Sequence, residues 1–426
     1  MTSLLLLLTL TAAAAVQTAP AIPDLDARIA AVEQDMIRWR RHLHEHPELS
    51  NREVETAKYV ADTLRSFGLE PRAGVARNGV VAVLKGAAGG PVVALRSDMD
   101  GLPVTEETGL PFASRVKTDY GGRSVGVMHA CGHDSHMAML LATARVLTGI
   151  KDRLRGTVVF IFQPAEESVP PEERPAGAEL MVKEGVLKDP RVDAIFGLHV
   201  YGNMPSGHVA WRSGPMMAAA DAYEIVVRGR QTHGATPWAG VDPIVVAAQI
   251  VTALQTIVAR QVDITAQPAI VTVGQFEAGV RNNIIPDTAR LVGTIRTFDA
   301  EMRKDIHARV QRTAGSIAEA AGATADVRID PGYPVTVNNP ALTERMLPTL
   351  RRVLGDRLFE GPKITGAEDF SYFQQQVPGL FLLLGITPPA EVGKAPQNHS
   401  PRFTVDEAAL LTGVRTLVHL TLDYGK

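Results

Sequence analysis

Cysteine is nearly absent from this chain: Cys131 is the only one in 426 residues. A lone thiol cannot close an internal bridge, so no disulfide framework holds the fold and stability rests on core burial. Aromatic residues make up only 5% of the sequence, and 43 basic against 46 acidic residues leave a net charge of -3. No basic stripe offers a footprint for nucleic acid or an anionic membrane surface. Beyond the N-terminus no stretch reads as apolar enough to span a bilayer, which takes roughly 20 residues. His-Glu-x-x-His is also missing, which excludes helix-borne zinc-protease chemistry.

What is present begins with an apolar run from Leu4 to Val16, followed by small residues. That length suits a secretory signal peptide over 1–21, with an N-terminal membrane anchor as the alternative. The expected location is periplasmic or secreted, with no stable membrane association after cleavage. The remaining 45% apolar and 21% charged composition is that of a soluble globular protein long enough for two domains.

From residue 24 the apolar spacing is helical to Leu43, and a second helix reads from Arg52 to Phe67. Continuous apolar runs then alternate with helical stretches: "GVVAVLKG", "PVVALRSD", "GTVVFIFQP", "RVDAIFGLHV" and, near the end, "GLFLLLG". Runs of that kind suit strands buried on both faces, and their alternation with helices predicts an α/β domain with a mainly parallel sheet. Between about 216 and 332 the pattern changes to alternating strands in the order β-α-β-β-α-β, a split-βαβ (ferredoxin-like) α+β unit. The expected organisation is a catalytic domain in two parts, 22–215 and 333–426, with the smaller domain, 216–332, inserted between them.

Ligands of open parallel sheets gather beyond the carboxyl ends of the strands. The residues that follow the buried strands are Asp98 and Asp100, then Glu166 and Glu167, then His199, and later His399. The stretch "VMHACGHDSHM" carries Cys131 and His133 just before a helix. Thiolate, imidazole and carboxylate together are ligands for zinc and similar divalent ions. Adjacent glutamates allow one to bind metal while the other stays free as a base. Each residue also has a plainer reading: an inert buried thiol, a solvated acidic face, a core histidine. Spacing alone does not show that they converge.

The motifs "MHACGHD", "QPAEE", "LHV", "RNNIIPD", "GTIRTFD", "GAEDFSYF" and "NHSP" resemble those of the M20 amidohydrolase/metallopeptidase family. The resemblance runs in order along nearly the whole chain after residue 24. It is greatest to the branch of N-acyl-amino-acid amidohydrolases, hippurate hydrolases and auxin-conjugate hydrolases, with which "RHLHEHPELS" and "LRSDMDGLP" also agree. It implies a zinc-peptidase-like catalytic domain and an inserted lid and dimerisation domain. It further implies two divalent metal ions (Zn, Mn, Co or Ni) held by Cys131, His133, Glu167, His199 and His399, with Glu166 as general base.

By the same resemblance His233 polarises the scissile carbonyl from a partner subunit, and Asn283 and Arg296 hold the substrate carboxylate. Many relatives carry His-x-Asp where this chain has Asp98-Met99-Asp100, so these two aspartates are expected to orient ligands. Trp238 stands where some relatives have a second histidine, which removes that role here. His42, His44 and His46 look like a metal tract but are assigned to packing and capping. The implied reaction is metal-dependent hydrolysis of N-acyl amino acids by a homodimer formed through the lid. The alternatives are a dipeptidase or carboxypeptidase of the same family, and a non-catalytic periplasmic binder of N-acyl amino acids.

Overall fold

The computed structural model describes residue 22, residues 24–167 and residues 169–426. The expected signal peptide lies outside the described residues. Helices α1 (Leu25–Ala31), α2 (Glu33–Glu45) and α3 (Val54–Ser66) precede strands β1 (Arg72–Val75), β2 (Gly79–Lys85) and β3 (Ala88–Asp98). Helix α4 (His133–Thr148), β4 (Arg155–Gln163), α5 (Gly177–Lys183), β5 (Ala194–Pro205) and β6 (Val209–Trp211) follow. Next come β7 (Ala219–Arg228), α6 (Pro243–Thr256), β8 (Ala269–Ala278), β9 (Thr288–Thr297), α7 (Ala300–Ala320) and β10 (Thr324–Pro331). The chain ends with α8 (Pro340–Leu354), β11 (Leu358–Glu360), β12 (Gly379–Thr387) and α9 (Leu410–Tyr424).

Eight strands form one sheet in the order β1-β2-β4-β3-β5-β12-β6-β11. Its centre, β4-β3-β5-β12, is parallel throughout, whereas β1/β2, β2/β4 and β12/β6 pair antiparallel. The sheet is thus mixed, with a parallel core. Side chains alternate across it: Leu380, Leu382 and Leu384 join the helices α2, α3, α4, α8 and α9, while Phe381 and Leu383 face the opposite core with Met181 and Phe373. Burying a side chain of that size contributes about 1.5–3 kcal/mol, which makes this two-sided burial the counterpart of the missing disulfides.

The second sheet, β8-β9-β7-β10, is antiparallel throughout and has its own core of Ile225, Leu291, Ile295 and inward residues of α6 and α7. Its elements follow one another as β7-α6-β8-β9-α7-β10 along the chain. Asp242 and Asp299 cap its two helices by accepting from Ile244 N and Met302 N. In one respect the sequence reading needs correction: Pro243–Gln261 is by length and composition apolar enough to cross a membrane. Its inner positions, Val246, Ile250 and Leu254, are core, while Ile244 and Val245 stay exposed. The first predicted helix is also divided, at Val32, into α1 and α2.

Candidate metal centre

The parallel core brings the carboxyl ends of β3, β4, β5 and β12 to one edge, and the predicted ligands stand there. Cys131 and His133 arrive from the turn into α4. Between them Gly132 has φ 88°, and a Cβ at that position would collide with Val200, so the close approach of this turn to β5 requires glycine. Cys131, Glu167 and His399 bring donor atoms within 4.8 Å of one another, as do His133, Glu166 and Glu167. Cys131 Sγ lies 3.4 Å from His199 Nε2. All five predicted ligands and Glu166 therefore share one cluster.

Several contacts aim these side chains. His199 Nδ1 donates to the Val200 carbonyl at 2.7 Å, which leaves the Nε2 lone pair turned toward Cys131. Asp100 receives His133 Nδ1 at 3.2 Å, leaving His133 Nε2 buried without a partner. The same carboxylate accepts from the amides of Glu166 and Glu167 at 3.1 and 3.0 Å and from Ser50 Oγ at 2.6 Å. One aspartate thus orients both the histidine and the glutamate turn, in which Ala165 has φ 52°. Asp98 instead accepts from Arg96 Nη1 at 2.8 Å and His136 Nδ1 at 2.6 Å.

His136 lies beside Asp98, His133 and His199, but Val200 N donates to its Nε2 at 2.8 Å. Both its nitrogens are committed, so it packs the site without serving it as a ligand. His399 sits at φ 71° on a loop pinned by Asn398, which donates to the Cys131 and Val200 carbonyls and accepts from Gly202 N. His399 Nε2 and Glu167 Oε1 are 3.3 Å apart without hydrogen-bond alignment, so both lone pairs point into the same space. The unpartnered His133 Nε2 and Glu167 Oε1, gathered with Cys131 Sγ and the Nε2 atoms of His199 and His399, fit a pair of divalent cations.

The charges reinforce one another. Burial opposes the Cys131 thiolate, yet the imidazoles of His199, His133 and His399 outweigh it and hold the thiol well below its ordinary pKa. Desolvation likewise works against charged His199, but Cys131 and Asp98 raise it to about 9. The close approach of Cys131 and then Glu167 to its ring lifts His399 to about 10. Burial and the neighbouring Cys131 charge bring Glu167 to about 7. Glu166 is pushed well above the usual carboxylate range by burial, then by Glu368, Glu167 and Asp369.

Glu368 and Asp369 also lie near Glu166, but Glu368 Oε1 and both oxygens of Asp369 are occupied. Arg96 Nη2 reaches both at 3.0 Å, Gln163 Nε2 donates to Asp369, and the amides of Phe370 and Ala178 complete the set. This buried network, like Asn398, escaped the sequence reading. Only the run "GAEDF" pointed at it, without naming a role.

A cavity of about 530 Å³ opens over the cluster, walled by Cys131, Glu166, Glu167, His199 and His399 on one side and by residues of the second sheet on the other. Arg296 lines that far wall, half-buried and without an ion-pair partner among the described residues. His233 and Asn283 do not line it. Both are exposed on a small ribbon in which His233 pairs with Ile284 and the Asn283 carbonyl accepts from Gly234 N. Trp238 beside them is 81% exposed. The histidine triplet has the expected packing role: His44 is buried between Asp134 and Glu106, and His42 stacks on Tyr59.

A two-ion donor set, an adjacent uncommitted carboxylate and an open cavity are the attributes of a metal-dependent amide or peptide hydrolase. The sequence model described as peptidase family M20/M25/M40 matches residues 94–423, and the chain belongs to that family. It is 42% identical over 403 residues to thermostable carboxypeptidase 1 of Saccharolobus solfataricus, covering 94% of this chain and 98% of the relative. With the N-acyl-L-amino acid amidohydrolase of Geobacillus stearothermophilus it shares 43% over 315 residues, 74% of this chain and 81% of that one. A crystal structure of a dinuclear metal-binding M20 peptidase from Bacillus subtilis superposes with a TM-score of 0.77 at 36% identity, covering 92% of this chain and 98% of that one.

Proposed function

We propose that the protein hydrolyses the amide bond of N-acyl amino acids, releasing a carboxylic acid and a free amino acid. Cys131, His133, Glu167, His199 and His399 hold two divalent cations in this reading. When bound, the ions supply the positive charge that polarises an amide carbonyl and eases deprotonation of water. Glu166 takes the proton from the attacking water and delivers it to the departing amine nitrogen. Its raised pKa suits both halves of that transfer. Arg296 receives the substrate carboxylate through its planar fork, which positions the amide. The observation that carries the reading is Glu166 itself: a carboxylate within 4.8 Å of donor atoms of His133 and Glu167 and one residue from a ligand, which a mere binder would not need.

His233 and Asn283 are assigned to the cavity of a partner subunit, His233 to the carbonyl oxygen and Asn283 to the carboxylate. A homodimer through the smaller, lid domain of 216–332 is supported by its open edge strand β8, with exposed Ile270 and Phe276, and by exposed Ile244 and Val245 on α6. Paired edges and covered apolar faces are how such surfaces are ordinarily protected. The apolar run Leu4–Val16 supports export of the chain by a signal peptide over 1–21.

Metal-stripped protein tested with Zn, Mn, Co and Ni in turn, on N-acyl amino acids and on dipeptides with free amines, decides the matter. Metal-dependent release of amino acid from the acylated substrates is expected. Turnover confined to free dipeptides would favour the dipeptidase reading, with an ammonium group competing for Glu179 and Asp330, the cavity carboxylates paired here with Lys183 and Arg174.

A further inference from the structure

The chain crosses between the two sheets twice, leaving through residues 217–219 and returning through Gly332–Val335. Both crossings are tied to one carboxylate. Asp221, at the start of β7, accepts from Arg303 Nε at 3.1 and 3.0 Å and from the Gly332 amide at 3.2 Å, and it pairs with His307 Nε2 at 2.6 Å. Arg303 also donates to the Gly332 carbonyl at 3.1 Å, and Ala220 N to the Tyr333 carbonyl at 3.0 Å. The return linker is therefore clamped onto β7 and α7 of the smaller domain.

From this clamped linker the Tyr333 hydroxyl donates to the main-chain carbonyl of Glu166 at 2.5 Å. That turn is held at its amides by Asp100, which belongs to the catalytic domain. Its carbonyl is held by a residue whose position follows the other domain. We infer that Tyr333 is a positioning residue for Glu166, through which the placement of the base depends on the seating of the smaller domain over the site. This rests on the proposed role of Glu166 as base. Displacing the Glu166 carbonyl by about half an ångström rotates the peptide plane next to the Glu166 Cα and shifts its side chain by a similar amount, and general-base transfer needs heavy-atom distances near 2.6–3.2 Å. Tyr333 does not act as acid or base in this scheme, since burial and the surrounding carboxylates raise its pKa well above the ordinary phenol value.

The test is Tyr333→Phe, which keeps the ring and removes only the hydroxyl, in metal-loaded full-length protein. In hydrolysis of an N-acetyl amino acid, kcat is expected to fall about tenfold or more with KM and metal content unchanged. Placed on Glu166→Gln, the same substitution should change the residual rate less than twofold, because its effect passes through the base. Hydrogen exchange of the peptide spanning 163–169 should speed up in Tyr333→Phe at unchanged melting temperature. An unaltered kcat with unaltered exchange overturns the inference. So does a full tenfold loss in the Glu166→Gln background, or a rise in KM alone, which would make Tyr333 a substrate contact. The exchange readout needs no activity, so a failure of the hydrolase reading and a failure of this one remain distinguishable.

Discussion

Replacing Asp100 with asparagine would test how the site is aimed. The carboxylate of Asp100 accepts four donors: His133 Nδ1 and the Glu166 amide on Oδ1, and Ser50 Oγ and the Glu167 amide on Oδ2. Asparagine keeps one acceptor oxygen and replaces the other with an NH2. The least costly arrangement turns the NH2 toward Ser50, whose hydroxyl can rotate to accept. That still leaves the Glu167 amide facing another N–H, a buried donor without a partner, at a cost of about 1–3 kcal/mol. The negative charge behind His133 is lost as well, and losing such an outer partner typically weakens metal affinity by roughly 10–100-fold, or about 1.4–2.7 kcal/mol. Titration of metal-free protein with Zn against a chelating indicator should therefore show at least one site weakened tenfold or more, with kcat falling alongside. Wild-type affinity and turnover in Asp100→Asn would refute the claim that this carboxylate orients both the ligand histidine and the glutamate turn.

Three further outcomes are expected. Glu166→Gln should retain both metals, read by elemental analysis, while turnover drops by roughly 10²–10⁴-fold, the usual contribution of a positioned acid–base group. A variant with near wild-type rates would require another base. Mixing inactive Glu166→Gln with inactive His233→Ala subunits, followed by unfolding and reassembly, should restore a fraction of wild-type activity if His233 serves the neighbouring site. No recovery would place His233 outside the reaction. Finally, burial opposes charge on His44, but Asp134 and Glu106 outweigh it and raise its pKa to about 9. With a folded pKa above the unfolded value near 6.5, the stabilisation is complete below about pH 6.5 and lost as pH rises through about 9. At 1.36 kcal/mol per pKa unit it amounts to about 3 kcal/mol. Urea midpoints should fall between pH 7 and pH 9.5 in the wild type and much less in His44→Gln, and equal declines would refute the assignment.

Some site residues stood out locally, because Glu167 and His199 follow continuous apolar runs and His133 opens a helix, whereas the full ligand set was legible only through the family motifs. The supporting contacts were not. Asn398 tethers the His399 loop to Cys131 and Val200 through bonds spanning roughly two hundred residues or more of sequence. Nothing in "QNHSP" distinguishes that asparagine from a turn residue. His136 shows the converse, since its spacing to His133 invites a ligand assignment that its two committed nitrogens exclude.

Hydrophobic periodicity along the chain was enough to call two sheets of different character, because burial on two faces and on one leave different repeats. The donor set came from the resemblance of the motifs to the M20 family, because residue type narrows the candidates for cation binding without showing that they meet. Tertiary structure alone decided which lone pairs are left unpartnered, and that only Arg296, among the three residues expected to contact substrate, lines this chain's own cavity. Those outcomes depend on where distant segments meet, and local composition carries no record of distance.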